Sequence, residues 1–276
     1  MALSTPCSFL ANLPLAPPLL RNHHLTQNLS RIRRRYLKKS PREQLPQLYQ
    51  FTTSSSEFEK DYSKFQDDEE DADAHSQFGT KAYWDAMYEG MGDFDAEEYS
   101  WYYGFEVVKP YLVDYIFADN KQDKSTMSIL IPGCGNDPML LDLYNAGYHR
   151  LTAFDYSEGA IERQKTLLEY LPLGSNVDSI ELSVEDARSL PKEWEKSFGI
   201  IIEKGALDAI YLSGDGNFEK SVSELSRCLK SGGICMSFSG VVPEEVRRDG
   251  FDEDNWEWLR DGADDMKAGS FIFRRR

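Results

Sequence analysis

Between Ser128 and Phe238 the chain alternates short apolar runs with stretches of helical spacing, and this alternation constrains the fold more than any other feature. Five runs read as buried strands: Ser128–Pro132, Leu151–Phe154, Ser179–Val184, Phe198–Ile202 and Ile234–Phe238. Between them, residues 137–146, 159–171 and 217–229 carry apolar positions three and four apart, the spacing of one helix face. The last helix is expected to stop at Lys230 and Gly232-Gly233. Strands separated by helices cannot pair as hairpins, so the pattern predicts an α/β fold with a mostly parallel, doubly wound sheet. Two later runs, Trp256–Leu259 and Ser270–Phe273, are expected to add an antiparallel hairpin and bring the sheet to seven strands.

The ends of these strands carry the chemistry-bearing residues. In an open parallel sheet, ligands bind beyond the carboxyl ends of the strands. The first strand runs into Gly133-Cys134-Gly135-Asn136-Asp137-Pro138, where glycines permit a sharp turn and close approach of backbone to ligand. The third glycine of a dinucleotide loop is missing; Pro138 holds its place. Twenty residues after Gly135, the second strand ends at Asp155, whose carboxylate can accept from two ribose hydroxyls or cap the helix that "DYSEG" begins. The third strand runs into Glu185-Asp186-Ala187, an acceptor for an adenine amino group beside a small residue, or a cap before "ARSL". The fourth ends in Glu203-Lys204-Gly205-Ala206-Leu207-Asp208, three charged groups at the end of an apolar strand.

Upstream lies an aromatic stretch, with Tyr83, Trp84, Tyr88, Trp101, Tyr102, Tyr103 and Phe105, which alone reads as packing or as a partner surface. Taken together, "YWDAMY" (83–88), "SWYYGFEVVKPYL" (100–112), "LIPGCGN" (130–136), "FDYS" (154–157), "EKGALDAI" (203–210), "LKSGG" (229–233), "WEWLRDG" and "GSFIFRR" resemble the class I, seven-strand S-adenosylmethionine-dependent methyltransferases. The resemblance is to the methyltransferase-like branch that includes lysine methyltransferases of translation elongation factor one-alpha, and it extends from about Phe78 to the C-terminus. It implies a Rossmann-like fold and S-adenosyl-L-methionine as cofactor. Trp84, Tyr88 and Trp101 would close over its methionine end, and Gly133 and Gly135 would line its loop. Asp155 and Tyr156 would meet ribose and adenine, Asp186 and Ala187 would border the adenine, and Lys204 would sit beside the cofactor. Three positions depart from the usual pattern: Met87 stands for an Arg, Ala206 for a Thr and Gly199 for an Asp.

The reaction this implies is in-line methyl transfer, with a protein lysine as acceptor. Glu203 and Asp208 are the carboxylates expected to orient the amine or relay its proton. Methylation of a small molecule and a catalytically silent binding fold are the alternatives. A nicotinamide dehydrogenase fits less well, because only His75 and His149 lie beyond the first 42 residues. That scarcity also argues against zinc spacing and Ser-His-Asp chemistry. Cys7, Cys134, Cys228 and Cys235 do not suggest a disulfide framework.

Charge divides the chain. Residues 1–42 hold eight Lys and Arg and no acid, which leaves 23 basic against 47 acidic residues in the remainder, a charge of −24. An acid-free, Arg-containing leader reads as a plastid or mitochondrial transit peptide; a retained basic tail on a cytoplasmic protein is the alternative. Residues 43–77 are polar and end in an acidic run, so a disordered linker is expected, followed by a methyltransferase domain over 78–276. The acidic remainder argues against nucleic acid as the main partner and suits a basic protein substrate. No apolar run approaches the roughly 20 residues of a membrane span.

Overall fold

The computed structural model describes residues 72–91, 94–116, 123–262 and 268–276. The leader, and the expected linker up to residue 71, lie outside the described residues. The last residues before Phe78 are packed rather than loose: Ala74 is buried, and the His75 N–H donates to the Leu212 carbonyl at 2.7 Å.

Helix α1 (Lys81–Ala86) continues into a wider turn at Met87–Met91, and α2 (Phe105–Ile116) leads to the sheet. The rest alternates as the pattern requires: β1 (Ser128–Pro132), α3 (Met139–Asn145), β2 (Arg150–Asp155), α4 (Glu158–Leu168), β3 (Ile180–Val184), β4 (Phe198–Lys204), α5 (Ala206–Leu212), α6 (Asn217–Cys228) and β5 (Leu229–Ser239). The chain then forms α7 (Glu244–Gly250), β6 (Trp256–Arg260) and β7 (Gly269–Arg275). The seven strands lie in the order β3-β2-β1-β4-β5-β7-β6. The first five are mutually parallel; β7 runs against both of its neighbours.

Successive side chains of a strand face opposite sides. Ile129, Ile131, Ile200, Ile202 and Met236 therefore join one core with α2 and α3, through Val108, Leu112, Leu140 and Leu143. Leu130, Ile201 and Cys235 join a second core with α6, through Phe218, Val222 and Leu225. Both sheet faces are covered, which is why these strands read as continuous apolar runs rather than alternating ones.

Two boundaries differ from expectation. Helix α6 stops at Cys228, because Leu229 is already extended (φ −82°, ψ 138°) and begins β5. Gly232-Gly233 is thus not a helix stop but a turn inside the start of the strand, with Gly232 at φ 76°. Asp137 and Pro138 precede α3 rather than open it, since the Asp137 carboxylate caps the Met139 N–H at 2.8 Å.

Candidate functional site

The strand order reverses between β1 and β4, where the connections leave in opposite directions and a crevice opens at the strands' carboxyl ends. A cavity lies there, walled by the glycine loop after β1, the ends of β2 and β4, the loop after β3 and the aromatic stretch before α2. Trp84, Tyr88, Trp101, Gly133, Gly135, Asp155, Tyr156, Asp186, Ala187, Lys204 and Asp208 all line it; Glu203 does not.

Gly133 (φ 54°) and Gly135 (φ 50°) turn the loop through the left-handed region that a side chain disfavours. The loop is also crowded: a Cβ on Gly133 would lie 2.6 Å from Ala206 Cβ, and one on Gly135 would lie 2.8 Å from the Tyr88 hydroxyl. The Asp155 carboxylate accepts from the Gly135 N–H at 2.9 Å and the Ser157 N–H at 3.0 Å, one donor on each oxygen. Burial pushes its pKa up to about 6, against the pull of those two N–H groups. Each oxygen keeps a lone pair for a further donor, so a vicinal diol matches the group.

Beside the loop, the Lys204 ammonium lies 2.6 Å from Asp137 Oδ2 and donates to the Trp101 carbonyl at 2.7 Å. Asp137 spends its other oxygen on the Met139 N–H. One buried ion pair thereby ties β4, the glycine loop and the aromatic stretch together.

The aromatic residues form a wall. Trp84 donates its indole N–H to the Phe78 carbonyl at 2.8 Å, packs edge-on to Trp101 at 5.5 Å and lies nearly parallel to Tyr88 at 6.3 Å. Arg163 of α4 holds the Tyr88 carbonyl through two donors, at 3.1 and 2.7 Å. The Tyr156 hydroxyl reaches the Thr80 carbonyl at 3.3 Å. Such a wall excludes water and offers π-faces to a cation or a purine.

Asp186 is at the cavity, but its carboxylate is engaged by Arg188 through both side-chain donors, at 2.7–3.0 Å, and through the Arg188 backbone N–H at 2.8 Å. Burial works to raise its pKa, but the Arg188 contacts outweigh it and hold the carboxyl below the usual range.

The two carboxylates after β4 part ways. Asp208 faces the cavity and accepts from Tyr102 Oη at 2.5 Å, Ser239 Oγ at 2.6 Å and the N–H groups of Gly240, Val241 and Val242 at 2.9–3.3 Å. Glu203 is fully buried and accepts from the Ser237 hydroxyl and the Leu207 N–H. Burial and the charge of Asp208 push its pKa up to about 8. Direct handling of an acceptor amine by Glu203 does not fit this placement: the side chain sits behind the wall, with no face on the cavity.

The sequence places Tyr102 only in the aromatic stretch, with no tie to Asp208, and does not single out Gln164 or Arg247. Tyr102 occupies a left-handed backbone conformation (φ 55°), rare for a bulky residue, to bring its hydroxyl to Asp208. Arg247 is buried against the Phe271 ring at 3.6 Å and donates to Ser239 Oγ and the Val242 carbonyl. Nothing in a single sequence distinguishes these from surface Tyr, Gln and Arg.

A methyltransferase-domain family matches residues 130–237. EEF1A lysine methyltransferase 2 of Homo sapiens is 31% identical over 174 residues, covering 60% of this chain and 70% of that protein. EEF1A lysine methyltransferase 4 of Mus musculus is 26% identical over 177 residues, and the chain spans 63% of its length. The crystal structure of magnesium protoporphyrin IX methyltransferase from Synechocystis, with bound S-adenosylmethionine, superposes with a TM-score of 0.51 at 14% identity. That superposition covers 73% of this chain and 95% of the other, a likeness of fold alone. The donor set suits the cofactor: a buried carboxylate for a diol, flat aromatic walls for a purine and a sulfonium, and a Lys–Asp pair beside the glycine loop for an amino-acid zwitterion. The reversal of strand order, the glycine loop and the match to human EEF1A lysine methyltransferase 2 agree, and the chain belongs to the class I S-adenosylmethionine-dependent methyltransferases, in the branch of the EEF1A lysine methyltransferases.

Proposed function

We propose that the chain methylates a lysine side chain of a protein. The observation that carries this reading is the 31% identity to a human protein-lysine methyltransferase over 174 residues. The acidic remainder of the chain, at −24, would draw a basic acceptor segment toward the cavity.

S-adenosylmethionine supplies a methyl group on a sulfonium, open to in-line displacement. Asp155 would hold the ribose hydroxyls, Gly133 and Gly135 would admit the cofactor close to backbone, and Tyr156, Asp186 and Ala187 would border the adenine. Trp84, Tyr88 and Trp101 would close over the methionine end and keep water from the reacting centre. Lys204, which holds the Trp101 carbonyl and Asp137, would sit beside the cofactor. The acceptor ammonium, with an ordinary pKa near 10.4, must lose a proton first, and a dry aromatic mouth favours its neutral form. Asp208 lines the cavity but spends its oxygens on five donors, so its part would be to hold Tyr102 and the loop after β5 against the site rather than to take the amine's proton.

The test is transfer of a labelled methyl group from S-adenosylmethionine to proteins of a cell extract, followed by acid hydrolysis. Label in methyl-lysine is the expected result. Label confined to small molecules, or to another amino acid, would overturn the reading.

We also infer that residues 1–42 direct import into a plastid or mitochondrion, on the strength of their acid-free, Arg-containing composition. A fluorescent protein fused after residues 1–60 is expected in one of those organelles; a diffuse cytosolic signal would overturn this.

A further inference from the structure

The cofactor loop is clamped from behind by a side chain of α4. Gln164 stands on α4, 1% exposed, with its side chain against the back of the glycine loop. Its Nε2 donates to the Gly135 and Asp137 carbonyls, both at 2.8 Å, and lies 3.3 Å from the Cys134 carbonyl. An amide nitrogen has two hydrogens, so the two short bonds take them and the third contact shares. The amide oxygen has no hydrogen-bond partner among the described residues. A buried amide with a bare oxygen carries a desolvation cost, so packing alone is better served by Met or Leu. What the amide uniquely offers here is a donor to three loop carbonyls.

Those carbonyls matter because the same loop orients Asp155. The peptide between Cys134 and Gly135 is held at both ends: its C=O faces Gln164 and its N–H donates to Asp155 Oδ2 at 2.9 Å. The next carbonyl, Gly135, is pinned by the stronger bond. Glycines at φ 54° and 50° leave this stretch free to flip its peptide planes, and a flip would turn a carbonyl toward the Asp155 carboxylate.

We propose that Gln164 is a positioning residue for cofactor binding, which fixes the peptide planes of residues 134–137 and through them the ribose-facing carboxylate of Asp155. It touches no reacting atom; it keeps the loop in the one orientation that serves the cofactor.

Gln164→Met keeps the side-chain volume and removes the donor; Gln164→Glu keeps the shape and turns a carboxylate on three carbonyls. Both are measured in the full chain by calorimetric titration with S-adenosylmethionine, thermal unfolding of the free protein and hydrogen exchange of the Gly135 amide. Gln164→Met is expected to bind about tenfold more weakly, the effect of losing roughly one buried hydrogen bond. Gln164→Glu is expected to bind more weakly still. In both, the Gly135 amide exchanges faster while the strand amides stay near the parent's, and kcat at saturating cofactor is preserved while KM for cofactor rises; the melting temperature falls modestly in Gln164→Met, which strands loop carbonyls, and further in Gln164→Glu, which buries a charge against them. Parent-like affinity and Gly135 exchange in Gln164→Met would overturn the proposal. Weak binding accompanied by faster exchange across the whole sheet would overturn it too, because the role would then be structural.

Discussion

The Lys204 ammonium and the Asp137 carboxylate, 67 residues apart, meet at 2.6 Å with 7% and 11% of their side chains exposed. A buried pair of this kind adds little net stability, but breaking it strands a charge. Lys204→Met is therefore expected to cost about 3–5 kcal/mol, because Asp137 stays buried without its partner. The double variant Lys204→Met/Asp137→Asn should recover much of that loss. Urea unfolding of the parent, both single variants and the double variant measures the coupling. Cofactor affinity should fall in every variant, since each frees the Trp101 carbonyl or the glycine loop.

Cofactor affinity should depend on pH through Asp155. Its pKa is pushed up to about 6 by burial, and only the ionised carboxylate can accept from two hydroxyls at once. Affinity is expected to be flat above about pH 7 and to weaken toward pH 5. Stability of the free protein runs the other way at this group. A raised folded pKa gives a contribution that is present below the ordinary carboxylate range and is lost as pH rises through about 6. Asp155→Asn should remove the pH dependence of binding along with most of the affinity; Asp155→Ala should abolish binding. Calorimetry at five pH values between 5 and 8 checks all three outcomes.

Strand identity was legible because both sheet faces are buried: "SILIP" and "FGIII" admit few other readings. The loop residues were legible because they follow strand ends, where topology alone brings them together. Asp155, Gly135 and Lys204 are such cases. The division between Glu203 and Asp208 was not. Four residues separate them in the strand-to-helix turn, and only the packing of β5 shows that Ser237 covers one while the other lines the cavity. Gln164 was hidden for a related reason. It lies in a helix of ordinary amphipathic spacing, and its role depends on the loop carbonyls 27–30 residues earlier.

Tyr102 closes the aromatic stretch onto Asp208. Tyr102→Phe removes one of five donors to a buried carboxylate and leaves the ring in place. The expected destabilisation is about 1–3 kcal/mol, the range for a hydrogen bond to a buried charged group. Because Asp208 also holds the N–H groups of Gly240, Val241 and Val242, the loop after β5 should loosen with it. Thermal unfolding measures the first effect. Hydrogen exchange of residues 240–242 measures the second, and unchanged protection there would show that Asp208 holds this loop independently of Tyr102.

Glu203 should stay protonated at neutral pH, since burial and the charge of Asp208 push its pKa up to about 8 from an ordinary value of 4.5. An acid held neutral in the fold but ionised in the unfolded chain makes folding take up a proton. The contribution is complete below about pH 4.5, declines as pH rises and is lost once pH passes about 8. The slope cannot exceed about 1.4 kcal/mol per pH unit for one proton. Glu203→Gln keeps the shape and cannot ionise in either state, so it should remove this decline. The variant is expected to gain stability relative to the parent from pH 5 to pH 8, and the gap should then level off. Urea unfolding across that range is the measurement. Parallel curves for the two proteins would mean that Glu203 is ionised in the native state, with Ser237 and Arg247 compensating its charge.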